Sequence, residues 1–280
     1  MKNITYIICL KILFLIIFSS KAVSQTVIDN ENFETGSFPF TYWNSGGIDC
    51  FLDTSSTLSG INCANLQDNS GSVSSMYTSD INLTSYAKVS IEFDFRTAGF
   101  NWNHDFFIEF SNDSGASWHA TPIATYVRNG SGFNNNTTYT GEYVEVLSSS
   151  YGGTYTFNAT SRLRFRADAD NDNDDLFIDN IIITGYPPAP EINLQGNNVT
   201  IIDGDNTPTP ADHTDFTTAN AGIQITRTFT IQNTGTASLN ISSIVLSNTT
   251  DFTIIAPHSF YHTGTNRYHR RQLGNYRTLY

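Results

Sequence analysis

The chain has 280 residues, of which 14% are charged, and 26 acidic residues outnumber 14 basic ones, for a formal net charge of −12. An acidic surface of this kind repels phosphate backbones, and no basic patch interleaved with aromatic residues offsets it, which argues against nucleic acid as a partner. In place of charged residues, the sequence is rich in Asn, Ser, Thr and Gly, and it contains 14 Tyr and 20 Phe. This mixture is typical of exported all-β proteins with long hydrogen-bonding loops.

Residues 1–24 predict a secretory signal peptide. Lys2 opens a short polar region, an apolar run follows over 12–18, and the small residues Ala22 and Ser24 occupy the positions that a signal peptidase requires. Cleavage after Ser24 would leave 11 basic residues against 26 acidic ones, a net charge of −15. The apolar run is too short to cross a bilayer, which takes roughly 20 residues. The protein is therefore predicted to be secreted or held at the cell surface, without a transmembrane segment.

Two cysteines remain after cleavage, Cys50 and Cys63, because Cys9 leaves with the signal peptide. Neither lies in a CxxC motif or a Cys/His cluster of the kind that binds zinc. An even pair in an exported protein predicts a disulfide, which would stabilise the fold by roughly 3 kcal/mol in the chain-entropy model.

Strict alternation of apolar and polar residues replaces helical periodicity after the signal peptide. The segments VSIEFDF (89–95), DFFIEFS (105–111), RLRFRAD (162–168) and ITRTFTIQN (225–233) each place apolar side chains on one face. This pattern predicts half-buried antiparallel strands and an all-β protein built of sandwiches. Three prolines within 187–190 predict a stiff connector over 186–190, with a first domain at 25–185 and a second at 191–256.

The first domain shows a family pattern in three segments. These are NFETGSFPFTYWNSGG, the stretch TSDINLTSYAKVSIEFDFRTAGFNWNHDFFIEFSNDSGASWHAT, and LRFRADADNDNDDLFIDNIII. In this order they resemble the jelly-roll modules similar to MAM domains in bacterial surface proteins and secreted hydrolases. The resemblance implies a β-jelly-roll, although the full cysteine set of animal MAM domains is absent.

The second domain resembles the Ig-like choice-of-anchor D module of the ASPM/SPD-2/Hydin group, most specifically in FTIQNTGTASLNI. That family implies a structural, spacer or anchoring sandwich without catalytic residues. The sandwich is expected to be incomplete, because residues 257–280 contain no Asp or Glu, carry four Arg, three His and four Tyr, and lack alternation. This anomalous segment is interpreted as the out-of-frame or truncated end of a longer gene, in preference to a basic tail that docks on an anionic polymer or membrane.

The stretch RFRADADNDNDDLFIDN is the segment with the strongest potential for chemistry. Its aspartates fall at the first, third, fifth, seventh and twelfth positions of an EF-hand calcium loop, and hard oxygen ligands suit calcium better than zinc or copper. These residues are Asp168, Asp170, Asp172, Asp174 and Asp179. The flanks alternate as strands and the twelfth position holds a short Asp, so two hypotheses remain, a structural calcium site and a solvated acidic hairpin.

The family resemblance implies a different ligand set. In the resembled jelly rolls a structural cation is often held near the first and last strands, which points to Glu34 with Asp179, joined by Asp105. Repulsion among closely spaced carboxylates favours a bound cation over a solvated loop.

Catalysis is not predicted. The sequence contains no GxSxG or HExxH motif, its histidines are isolated, and its clustered acids follow one segment instead of facing each other across a cleft. The predicted function is a non-catalytic surface, adhesion or spacer protein that binds a glycan or a protein. The alternative is the accessory part of a longer secreted hydrolase. Trp43 and Trp118 are predicted to pack against the sheets, whereas Trp102 in FNWNHD is predicted to be exposed and is the ligand-binding candidate.

Overall fold

The computed structural model describes residues 24–55, 58–68, 71–129, 132–217, 223–241, 244–246 and 249–255, together with the backbone of 14–17, 243 and 268–274. In chain order the strands are β1 (Phe14–Ile17), β2 (Thr26–Glu31), β3 (Trp43–Ser45), β4 (Cys50–Asp53), β5 (Cys63–Gln67), β6 (Ser75–Thr78), β7 (Lys88–Ala98), β8 (Asp105–Ser111), β9 (Ala124–Val127), β10 (Tyr139–Leu147), β11 (Arg162–Asp168), β12 (Asp175–Tyr186), β13 (Ile192–Gly196), β14 (Val199–Ile201), β15 (Thr226–Asn233), β16 (Ser243–Leu246), β17 (Thr253–Ile255) and β18 (Tyr268–Gly274). A single 3₁₀ turn, Ser149–Tyr151, is the only helical element in these residues. No helix of the described chain is long and apolar enough to span a bilayer.

The chain divides into two compact units. The first unit is Val23–Pro187, and the second unit combines Pro188–Tyr280 with Met1–Ala22.

The first unit is a sandwich of two antiparallel sheets. One has the strand order β10-β7-β12-β5-β4, with β2 also paired to β12, and the other has the order β3-β6-β11-β8-β9. Alternate residues of each strand enter one shared core, as the alternation in the sequence predicts. Ring contacts join the two sheets, since Phe93 of β7 lies 5.0 Å from Phe165 of β11 between centroids, and Phe95 lies 5.0 Å from Phe106 of β8. The all-β sandwich class is confirmed.

The acidic segment is not a hairpin, and this part of the prediction is wrong. Strand β11 lies in the five-stranded sheet and β12 in the six-stranded sheet, so residues 169–174 cross from one sheet to the other. Alternation on both flanks identified the two strands correctly, but it carries no information about which strands pair with each other.

The second unit contains a five-stranded sheet of order β14-β13-β15-β18-β17. Its small core is formed by Phe216, Phe229 and Phe252. Strand β1, within the predicted signal peptide, pairs with β16. Residues 257–280 lack alternation in the sequence, yet β18 within them lies between β15 and β17. The interpretation of that segment as an out-of-frame end stays a prediction.

Candidate functional site

The outer face of the five-stranded sheet carries an array of arginine and aromatic side chains. The core residues of β11 alternate with Arg162, Arg164 and Arg166, which therefore point away from the core. The register places Tyr77 of β6 and Glu109 of β8 on either side of Arg164, and Phe107 opposite Arg166. The arginine–aromatic face is defined here as Tyr77, Phe107, Glu109, Trp118, Arg162, Arg164 and Arg166.

A buried ion pair lies at the centre of this face. Nε and Nη2 of Arg164 both lie 2.6 Å from Oε2 of Glu109, and the two side chains are only 10% and 9% exposed. The guanidinium also lies over the Trp118 ring, 4.1 Å from its centroid. Burial lowers the pKa of Arg164, and the neighbouring Glu109 carboxylate acts against that shift. The two side chains are held together, because separating them would leave each buried charge without a partner that compensates for the water it has lost.

Arg166 is held more loosely. Its guanidinium lies over Phe107, 4.4 Å from the ring centroid, with Nε 3.4 Å from Oε1 of Glu109 and Nη1 3.9 Å from Asp168. A guanidinium has five N–H donors, more than these two contacts occupy. Arg166 is thus the cation of the face best placed to donate hydrogen bonds to a ligand.

The charges of the face are nearly balanced. At one edge, Nε of Arg162 donates to Oδ1 of Asp80 at 2.6 Å. The three arginines therefore meet three carboxylates, those of Asp80, Glu109 and Asp168. A surface with this balance favours an uncharged ligand over a polyanion.

The face ends in a carboxyl pair. Asp105 and Asp168 lie directly opposite each other on β8 and β11. Burial, followed by the charge of Asp168 and a hydrogen bond to it, raises the pKa of Asp105 to about 6. The neutral form of Asp105 is therefore favoured under mildly acidic conditions.

Beyond this pair, two of the predicted calcium ligands meet a histidine. Nε2 of His104 lies 3.5 Å from Asp170 and Nδ1 lies 3.4 Å from Asp174. The backbone N–H of Asn101 donates to Nδ1 at 3.2 Å, and its side-chain amide donates to Asp170 at 3.1 Å. Asp170 and Asp172 are exposed, whereas Asp174 is buried, and burial raises its pKa.

Gly99 allows the crossover to lie against the end of β7. Its φ of +78° is in the left-handed region, and a Cβ at this position would lie 2.1 Å from the carbonyl oxygen of Asn173 and 2.6 Å from Oδ1 of Asp174. No residue with a side chain fits without moving the crossover. The carboxylate of Asp174 is therefore positioned by backbone packing as well as by its hydrogen bonds.

Asp179 and Glu34 lie apart from this cluster. Asp179 is on β12, four residues beyond Asp175, or about 13 Å along the strand. Ser59 donates to it through its backbone N–H at 3.1 Å and its hydroxyl at 2.9 Å. Glu34 accepts hydrogen bonds from the backbone N–H groups of Ile61 and Asn62. The EF-hand-like loop expected from the spacing does not form. Glu34 and Asp179 contact the same loop, residues 59–62. A calcium ion bound by Glu34 and Asp179 stays a prediction.

The predicted disulfide is wrong. Strand pairing places Cys63 opposite Asp53, three residues along β4 from Cys50. Three residues span about 10 Å and reverse the face of the strand, whereas a disulfide needs Cα atoms about 4.4–6.8 Å apart. Both cysteines are buried thiols, and burial raises the pKa of each to about 12.

The tryptophans lie where the sequence predicts. Trp43 is fully buried and donates from Nε1 to Asp29 at 2.8 Å, Trp118 is half-buried under Arg164, and Trp102 is 61% exposed. Ligand binding by Trp102 stays a prediction.

The sequence reasoning missed both the arginine–aromatic face and His104. The alternating arginines of RLRFRAD are a signal in the sequence that could have indicated the arginine–aromatic face. The partners Glu109 and Phe107 lie more than fifty residues earlier, and only the register of β8 and β11 brings them alongside.

No family model matches the chain, and no curated protein sequence does. Similar solved structures include the xylan-binding domain CBM22-1 of Paenibacillus barcinonensis Xyn10C, with 12% identity and a TM-score of 0.42 over 61% of this chain and 100% of that domain. The tandem CBM22-1–CBM22-2 structure of Xyn10C has 10% identity and a TM-score of 0.45 over 94% of this chain and 92% of that one. The K3 cleaved adhesin domain of Lys-gingipain from Porphyromonas gingivalis has 15% identity and a TM-score of 0.38 over 57% of this chain and 99% of that domain. The MAM-like and choice-of-anchor D resemblances stay predictions.

Proposed function

We propose that this chain is an exported, non-catalytic protein whose first unit binds a neutral glycan on the arginine–aromatic face. The observation that carries the proposal is Arg166, whose guanidinium lies over Phe107 beside the buried Arg164–Glu109 pair. The proposal keeps the predicted structural calcium ion at Glu34 and Asp179 as a feature that is separate from this face.

The chemistry of the face suits sugar hydroxyl groups. A guanidinium presents parallel N–H donors and a carboxylate presents paired acceptors, and adjacent hydroxyl groups of a pyranose can bind either in a two-point arrangement. Half-buried rings such as Phe107 and Tyr77 offer apolar surface to the C–H side of a sugar. A few fixed polar groups among aromatic side chains are the usual composition of a small-molecule site.

Electrostatics supports a neutral glycan. The arginines of the face are matched by nearby carboxylates, and the chain as a whole has a formal net charge of −12. A uronic acid or sulfated polymer would approach against this charge. A neutral polymer would meet no such repulsion, and its hydroxyl groups would replace the water molecules that are hydrogen-bonded to the face.

The test is calorimetric titration and affinity electrophoresis of the purified chain with soluble xylan, followed by a panel of neutral and acidic polysaccharides. Xylan is the first probe because it is the named ligand of the xylan-binding domains compared above. Substitution of a central contact in a binding site commonly costs more than 1 kcal/mol. We therefore expect Arg166→Ala and Phe107→Ala to weaken binding about tenfold.

Tyr143→Ala is the matched control, because Tyr143 is an exposed aromatic residue on β10, in the other sheet. It should leave the affinity unchanged. Loss of binding in Trp102→Ala with retention in Arg166→Ala would move the site to the loop before β8. Absence of binding to every neutral glycan in the panel would reject the proposal.

A further inference from the structure

Three side chains from two distant segments converge where β8 begins and the chain crosses between the sheets. His104 directly precedes β8, and Asp170 and Asp174 belong to the crossover at 169–174. Each offers one ligand atom, and these atoms lie within 4.8 Å of one another. Within the described part of the chain, this is the group of three His, Cys, Asp or Glu residues with the geometry to hold an ion.

We propose that His104, Asp170 and Asp174 bind a divalent transition metal ion of the zinc class, with water completing its coordination. This assignment differs from the calcium loop expected from the sequence in both its ligands and its metal. Asp168, Asp172 and Asp179 are not part of it, and an imidazole nitrogen is added. It does not rest on glycan binding.

One separation in the cluster fits an edge of a metal coordination shell. Bond lengths of about 2.0–2.2 Å in a tetrahedral arrangement place neighbouring ligand atoms about 3.3–3.5 Å apart. The two measured separations are 3.5 Å from Nε2 of His104 to Asp170 and 3.4 Å from Nδ1 of His104 to Asp174. One ion binds only one ring nitrogen, so one of these separations would be an edge of its coordination shell. The other carboxylate would have to approach the ion, within a group whose three ligand atoms lie within 4.8 Å of one another.

The type of ligand selects the class of metal. Calcium takes shells of six to eight oxygen atoms, whereas imidazole nitrogen suits zinc, copper, iron and nickel, and mixed histidine and carboxylate sets are usual for zinc. Nδ1 of His104 accepts the backbone N–H of Asn101, so it is the unprotonated nitrogen that could bind an ion in place of that hydrogen bond, and Nε2 carries the proton beside Asp170. Histidine ligands of metals are commonly oriented by such a partner.

The surroundings also favour a cation. The Asp174 side chain is 3% exposed and lies near the Asp170 carboxylate. Asp174 accepts hydrogen bonds at Oδ2 from the backbone N–H of Asp170 and the side-chain amide of Asn171, both at 3.2 Å. These bonds offset part of the cost of placing two carboxylates together, and a cation would offset more of it. Gly99 allows the crossover to lie against the end of β7.

A metal-free alternative has the same geometry. In it, His104 carries its proton on Nε2 beside Asp170, accepts the backbone N–H of Asn101 at Nδ1, and binds no metal. The two cases are separated by titrating the chelator-treated full chain with ZnCl₂, MnCl₂ and CaCl₂ by calorimetry, and by the visible absorption spectrum with CoCl₂, which reports nitrogen and oxygen ligands around the ion.

We expect the unmodified chain to bind one more equivalent of zinc than His104→Ala, and Asp170→Asn to lower the affinity of that equivalent about tenfold or more. His119→Ala and Asp172→Asn are matched controls, since both residues are exposed on the first unit and lie outside the cluster. They should bind as the unmodified chain does. Asp170 is itself exposed, so Asp170→Asn remains informative if His104→Ala fails to fold.

The proposal would be overturned if the unmodified chain, His104→Ala and Asp170→Asn bound zinc with equal stoichiometry and affinity. It would also be overturned by a site that binds calcium but neither zinc nor cobalt. The metal-free hydrogen-bonded arrangement of His104 would then be the explanation for the cluster.

Discussion

Asp113 shows how one exposed carboxylate can define a turn. It accepts hydrogen bonds from the Ser111 hydroxyl at 2.7 Å and from the backbone N–H and hydroxyl of Ser117 at 2.9 and 2.5 Å. These bonds, led by the Ser117 hydroxyl, lower the pKa of Asp113 to about 2. The charged form is therefore favoured in the folded state.

A lowered folded-state pKa contributes stability above the unfolded pKa of about 4, and this contribution is lost as the pH falls toward about 2. We expect Asp113→Asn to flatten the pH dependence of the unfolding midpoint between pH 4 and 2, as measured by thermal denaturation. Ser117→Ala should flatten it in part. An equally steep decline in Asp113→Asn would show that the turn does not depend on this charge.

At the scale of elements, β11 carries two kinds of ion pair that are expected to differ in importance. The Arg164–Glu109 pair is about nine-tenths buried, whereas Arg162 and Asp80 are 23% and 38% exposed. Removing one partner of a buried pair commonly costs about 3–5 kcal/mol, while an exposed pair contributes about 0–1 kcal/mol.

Glu109→Gln should therefore lower the free energy of unfolding of the first unit by several kcal/mol, because both Arg164 and Arg166 lose their shared carboxylate. Asp80→Asn, the control at the exposed pair with Arg162 of β11, should lower it by less than about 1 kcal/mol. Urea denaturation measures both. Similar values for the two variants would show that the central pair is not desolvated as the structure indicates.

Sequence patterns predicted the strands β7, β8, β11 and β15 because each strand reports its own buried face. They did not predict partners. The hairpin was mistaken because strands that are neighbours in sequence were assumed to pair. The disulfide was predicted from an even number of cysteines, and the register of β4 and β5 then keeps Cys50 and Cys63 apart. His104 and Asp174 meet because β8 pairs with β11 in a particular register, and no local pattern encodes that pairing.

At the scale of the whole molecule, β18 joins β15 to β17 in the second unit. A chain without residues 257–280 should lose protection of the β15 amides in hydrogen exchange, because those groups lose their partners on one side. The amides of β7 in the first unit serve as an internal control and should keep their protection. Unchanged exchange in β15 would mean that β18 does not contribute to the sheet in solution.

Strand β12 pairs with β2, β5 and β7, and this arrangement has a consequence for the order of events during synthesis. Its residue Ile181 lies opposite Glu31, which leaves the ribosome roughly 150 positions earlier. At about 5–20 residues per second, the three earlier strands wait on the order of ten seconds for the strand that joins them. Throughout that interval the strand edges that pair with β12 are open to other chains, so a newly made molecule is exposed to mispairing until the first two thirds of the chain have emerged.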